Sequence, residues 1–209
     1  MRQTIYSVVV PALAILLLYG CQTRDELKPV DTQPISLYKL NMENAEFELV
    51  EVDVRAHEKV VETRNPNSIV HSDYITTGTH HVQVKFEENP SGIHGTGSIT
   101  GPIYIEVEFD AACITEVDNR ATIGGLVTFL ELGDNPFGFP VQVGWYIYMA
   151  MEDNGEGKKG PTDKYHGEVY FGMPAFGPLC DVLEPFHPIF WMADDWNDVQ
   201  GKNDKVVIR

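Results

Sequence analysis

The best candidate set of oxygen donors in the chain is Glu152-Asp153-Asn154-Gly155-Glu156-Gly157, with Asp163 just beyond it. Calcium takes roughly six to eight oxygens from carboxylates, amide side chains and backbone carbonyls, and a glycine-containing loop can wrap them. Asp153, Asn154, Glu156 and Asp163 are therefore a candidate calcium set, and calcium is the one cofactor the sequence suggests. The spacing is not that of an EF-hand, and Lys158-Lys159 brings positive charge into the same loop; the plainer reading is a solvated hairpin turned by Asn154-Gly155. A second candidate is the aromatic tail, where Trp191 and Trp196 lie among Asp194, Asp195, Asn197 and Asp198. Aromatic faces stack on sugar C–H groups while carboxylates and amides take the hydroxyls, so Trp191 and Trp196, extended by Tyr146 and Tyr148, are a candidate platform for a glycan. The same residues would serve to close the open end of a β-sandwich. A third candidate is a small hydrolase in which two of Asp194, Asp195 and Asp198 act as acid and base, although carboxylates are common in a chain with 31 acidic residues.

Two further patterns carry less. His71, His80, His81 and His94 crowd one part of the chain, but neighbouring strand residues point to opposite faces, so His80 and His81 cannot share a site, and no transition-metal spacing is present. Gly95-Thr96-Gly97-Ser98-Ile99-Thr100-Gly101 fits neither the dinucleotide fingerprint nor the nucleophile elbow and reads as a strand bend. No catalytic constellation emerges, and the expectation is a non-enzymatic domain.

The N-terminus supplies an address. Thr4 to Gly20 carries no charge, and its apolar centre, Val8 to Leu18, suits a secretory signal. About fifteen apolar residues reach roughly 22 Å as a helix against a hydrocarbon core of about 30 Å, and Pro11 interrupts them. Leu18-Tyr19-Gly20-Cys21 resembles the bacterial lipoprotein signal, in which a small residue precedes a cysteine that becomes the lipidated N-terminus; Tyr19 departs from the usual small residue. The expectation is a signal over 1–20, lipid on Cys21, a flexible tether over 21–44 and a domain over 45–209, held at the bacterial cell envelope on the outer membrane or cell surface. With Cys21 used, Cys113 and Cys180 remain in an oxidising compartment, either as a disulfide or as two buried thiols. A net charge of −16, with no basic cluster beyond Lys158-Lys159, disfavours nucleic acid. The partners expected are the membrane, through the lipid, and a glycan or protein ligand.

The elements that must position these residues read as strands. Val50 and Val52 alternate with Glu51 and Asp53, Val82, Val84 and Phe86 with Gln83, Lys85 and Glu87, and Ile103, Ile105, Val107 and Phe109 with polar neighbours. The runs Ile123 to Leu130 and Val141 to Met151 are apolar on both faces and read as central strands. Turn residues separate the runs at Asn89-Pro90-Ser91-Gly92, Asp118-Asn119, Gly133 to Pro136 and Asp153-Asn154-Gly155. A short helical turn fits within Pro185 to Asp198. The fold class expected is all-β, an antiparallel β-sandwich or jelly roll with a closed barrel as the second architecture, behind an N-terminal signal segment.

Cys113-Ile114-Thr115-Glu116-Val117-Asp118-Asn119-Arg120-Ala121-Thr122-Ile123-Gly124-Gly125 resembles the Cys-x-x-Val-x-Gly-Asn-x-Ala-x-x-Gly-Gly signature of a group of uncharacterised secreted bacterial β-domains. The Asp-Asn-Gly-Glu-Gly loop of that group is matched by Asp153 to Gly157 followed by Asp163, and its last strand by Asn203 to Ile208. The likeness covers about 90–209. It implies export and a β fold, but no reaction. Asp118 stands where the signature has glycine, which reads as a tighter turn.

Overall fold

The computed structural model describes residues 34–43, 46–52, 67–77, 80–101, 105–132, 141–155, 161–183, 188–191 and 196–209. The signal segment and Cys21 lie outside these residues. The strands are β1 (Ile35–Asn41), β2 (Phe47–Val52), β3 (Ile69–Ile75), β4 (His81–Asn89), β5 (Gly92–Thr100), β6 (Ile105–Val117), β7 (Arg120–Leu132), β8 (Tyr146–Glu152), β9 (Lys164–His166), β10 (Glu168–Gly172), β11 (Trp196–Asp198) and β12 (Gln200–Ile208). Every ladder is antiparallel, in the order β12-β3-β4-β5-β6-β7-β8-β10-β1-β2. This is the antiparallel all-β class that the alternation in the sequence predicts. The expected helical turn is present as one turn, Pro188–Trp191.

A side branch changes the shape of the sheet. β8 pairs with β9, β9 with β11, and β11 runs through Val199 into β12, which pairs with β3. The chain itself therefore links the β8–β9–β11 branch back to the β12 end of the strand order, and all twelve strands belong to one sheet. Inside it lie Val82, Val84 and Phe86 of β4, Val107 and Phe109 of β6, and Ile147, Met149 and Met151 of β8. Tyr74 of β3 stacks on Tyr165 of β9 at 4.8 Å between ring centres.

A second apolar cluster lies on the outer face of β8 and β10. Tyr148, Ala150 and Tyr170 of those strands, with Leu37 of β1, are covered by Leu179, Cys180, Leu183 and Phe190, which follow β10 in the chain. Cys180 is bonded to Cys113 of β6 with an S–S length of 2.05 Å. The disulfide reading of the two cysteines therefore holds, and the bond ties the covering segment to the sheet. β8 is buried on both faces, as its sequence requires, because one face meets the interior and the other meets this cover.

One expectation changes. The sheet begins within the stretch read as tether: β1 lies between β10 and β2, with Leu37 and Leu40 buried on opposite faces. Burial on both faces hides the alternation, and Lys39 makes the strand look solvated. The turn between β6 and β7 has two residues, Asp118-Asn119, between the paired Val117 and Arg120, and Asp118 adopts the left-handed backbone that favours glycine, at φ 56°.

Candidate functional site

Asp153, Asn154 and Asp163 come together where β8 turns toward β9; Glu156 lies outside the described residues. Asp163 Oδ1 accepts from the amide of Asn154 and Oδ2 from that of Val206, each at 2.9 Å. Asp153 Oδ1 accepts from the amide of Gly155 at 2.8 Å and Oδ2 from that of Ile208 at 2.9 Å. Asn154 Nδ2 donates to the Thr162 carbonyl at 2.7 Å, and Asn119 Nδ2 to the Asp153 carbonyl at 3.0 Å. All four carboxylate oxygens thus face backbone N–H groups. Two of those amides belong to β12, in the stretch where Lys205 to Ile208 pairs with β3. The two aspartates act as substitute ladder acceptors for the outer side of that strand. Among the described residues no three carboxylate, imidazole or thiol groups converge as a metal set.

The aromatic candidates do not form one exposed platform. Tyr148 is fully buried under the cover and donates its hydroxyl to the Gly177 carbonyl at 3.1 Å, and burial raises its phenol above the usual range. Tyr146 is half-buried beside it, the rings 6.4 Å apart. Trp196 is also half-buried, donating Nε1–H to the Phe190 carbonyl at 2.8 Å, with the Arg120 guanidinium 4.6 Å from its ring centre. The side chain of Trp191 lies outside the described residues. These rings hold the cover on the sheet, which is the sandwich-closing reading of the sequence. Of the hydrolase candidates, Asp194 and Asp195 lie outside the described residues, and Asp198 is exposed on β11 opposite Lys164.

The histidines separate as strand geometry requires. His80 is buried on the β3–β4 hairpin against Gly101, while His81 faces outward, its Nε2 2.7 Å from Asp73 Oδ1. His71 lies 3.4 Å from Glu87, and His94 lies 3.1 Å from the Ser91 hydroxyl.

A polar centre absent from the sequence reading lies beneath the cover. His166, Glu168 and Tyr170 occupy alternate positions across the β9–β10 junction and share the outer face of the sheet. Glu168 accepts an ion pair from Lys39 at 2.9 Å and a hydrogen bond from the Tyr170 hydroxyl at 2.6 Å. Burial alone would lower the Lys39 ammonium, but its hydrogen bonds to Glu168 and Glu48 outweigh that and hold it above its usual value. Beside this group His166 is enclosed by the rings of Phe190 at 5.2 Å, Trp196 at 5.7 Å and Tyr170 at 6.3 Å. Its Nε2 has no hydrogen-bond partner among the described residues, and burial pushes the imidazole down to about 4. The residue types suit acid–base chemistry, but this geometry serves packing, because the imidazole is walled by rings. The period-two spacing of His166, Glu168 and Tyr170 is the signal that could have revealed the cluster in the sequence.

No protein family, curated protein or solved structure matches the chain.

Proposed function

We propose that the chain is a lipid-anchored protein of the bacterial cell envelope whose β-domain binds or adheres without catalysing a reaction. The observation that carries this reading is the Cys113–Cys180 bond, joining residues 67 positions apart in sequence, which belongs to an oxidising compartment. The apolar N-terminal segment and Cys21 after Gly20 supply the matching route of export, and several acyl chains on one cysteine would anchor the domain stably. The resemblance to secreted bacterial β-domains points the same way. A binding role is favoured over catalysis because the described candidate groups are spent on structure: Asp153 and Asp163 hold backbone amides, and His166 is enclosed.

The test is the intact mass of the protein extracted from membranes, measured with and without reduction before alkylation. A chain starting at Cys21 with added acyl mass, and two thiols that alkylate only after reduction, is the expected result. An unacylated chain with two thiols alkylated without reduction would overturn the envelope assignment.

A further inference from the structure

The outer faces of β4, β5, β6 and β7 carry two aligned rows of side chains. One ladder row runs Gln83–Ser98–Glu108–Phe129, and the next runs Lys85–Thr96–Asp110–Leu126. The β5 residues Ser98 and Thr96 are short, while Gln83 and Lys85 on β4 and Glu108 on β6 are long, so the sheet surface sinks along β5. The result is a trough of about 320 Å³, lined by both rows as far as β6 and by Thr128. Its walls are two ladder steps apart, roughly 10 Å. Gln83 is engaged by Asp73, whereas the other polar side chains of the trough make no hydrogen bond or ion pair among the described residues. Beyond the β6 wall, Phe129 and Leu126 are 41% and 36% exposed, an apolar shelf beside a polar channel. The β6–β7 bulge places Thr128 and Phe129 side by side on this exposed surface.

We propose that this trough binds a neutral oligosaccharide. Hydroxyls of Thr96, Ser98 and Thr128 and carboxylates of Glu108 and Asp110 would exchange hydrogen bonds with sugar hydroxyls, Lys85 would donate from the opposite wall, and Phe129 would take a sugar C–H face. Two carboxylates against one ammonium disfavour an anionic glycan. This inference rests on the domain being a binding module and names the chemistry of what it binds.

The test is calorimetric titration of the full mature protein, extracted in detergent, with cellohexaose, maltohexaose, mannohexaose and chitohexaose. At least one is expected to bind, and Ser98→Tyr, which fills the channel, and Phe129→Ala are each expected to weaken it by about tenfold or more. Glu108→Gln keeps the shape of an exposed side chain and is expected to weaken binding with an unchanged melting temperature, which guards against misfolding in the other variants. No binding across the four sugars, or binding indifferent to all three substitutions, overturns the proposal. The acyl mass and thiol state of the same preparation keep the two readings apart: an acylated protein that binds no sugar overturns the trough alone, and an unacylated protein with two free thiols that binds sugar with these sensitivities supports the trough while the envelope assignment fails.

Discussion

At the scale of single residues, the side chains with metal-ligand chemistry are used as backbone acceptors. Asp163 reaches two amides distant in sequence, Asn154 and Val206, and so links the β8–β9 connection to the last strand. Each bond has a charged acceptor, which makes it stronger than an ordinary amide–carbonyl bond. Asp163→Ala leaves both donors without an acceptor in half-buried positions, where water recovers part of the loss, so a destabilisation of about 2 kcal/mol is expected in urea unfolding. Asp163→Asn retains one carbonyl acceptor and should cost about half as much. Amide exchange at Val206 should accelerate in the alanine variant well before global unfolding; protection equal to that of the unmodified protein would show that the carboxylate does not hold this strand.

At the scale of elements, the cover over β8 depends on a space left by glycine. Gly124 is the cross-strand neighbour of Cys113, and a Cβ there would lie 2.5 Å from the Cys113 sulfur and 2.8 Å from that of Cys180. Gly125 faces the other way, where a Cβ would lie 2.3 Å from the Phe109 ring. Adjacent glycines thus admit a disulfide on one face and an aromatic ring on the other. Replacing both cysteines by alanine should cost up to about 4 kcal/mol, the chain-entropy value for a loop of this length. Gly124→Ala should cost about 1–3 kcal/mol while the disulfide is present and much less in the cysteine-free background, a coupling that a double-mutant cycle in denaturant would read. Equal costs in both backgrounds would mean that the sulfur atoms do not set the crowding. Much of this level was legible in the sequence. Strands with one dry face announce themselves through Val82, Val84 and Phe86, and a strand buried on both faces through the unbroken run ending at Met151. β1 was not legible, because Lys39 is charged yet reaches two carboxylates, Glu48 and Glu168, and only the fold brings those partners to it. The acidic loop was recognised as a cluster, but spacing along a chain does not reveal which distant amides a carboxylate will meet.

At the scale of the whole molecule, the sheet and its cover place one histidine where a proton is costly. The unfolded chain takes up a proton on His166 as pH falls through about 6.5, whereas the folded chain does so only near 4, because burial disfavours the imidazolium. Between those values the unfolded state binds more protons, so stability rises with pH across the window: the contribution is complete above about 6.5 and is lost as pH falls toward 4. Converted by about 1.4 kcal/mol per pH unit, the window is worth about 3 kcal/mol. Burial outweighs the groups that face the imidazole: a backbone hydrogen bond with Glu168 and the Glu168 carboxylate favour its charged form, and the Lys39 ammonium paired to that carboxylate opposes it. Other groups act over neighbouring ranges. His80, lowered by burial, adds in the same direction, while Glu116, raised by burial, opposes both. His166→Gln removes only the first contribution, so the difference between the urea stabilities of the two proteins, followed from pH 7 to pH 4, isolates it. That difference should shift by about 3 kcal/mol in favour of the glutamine variant as the solution is acidified. Parallel curves over the window would mean that the folded imidazole takes up its proton as readily as the unfolded one, and the enclosed, neutral His166 described here would have to be abandoned.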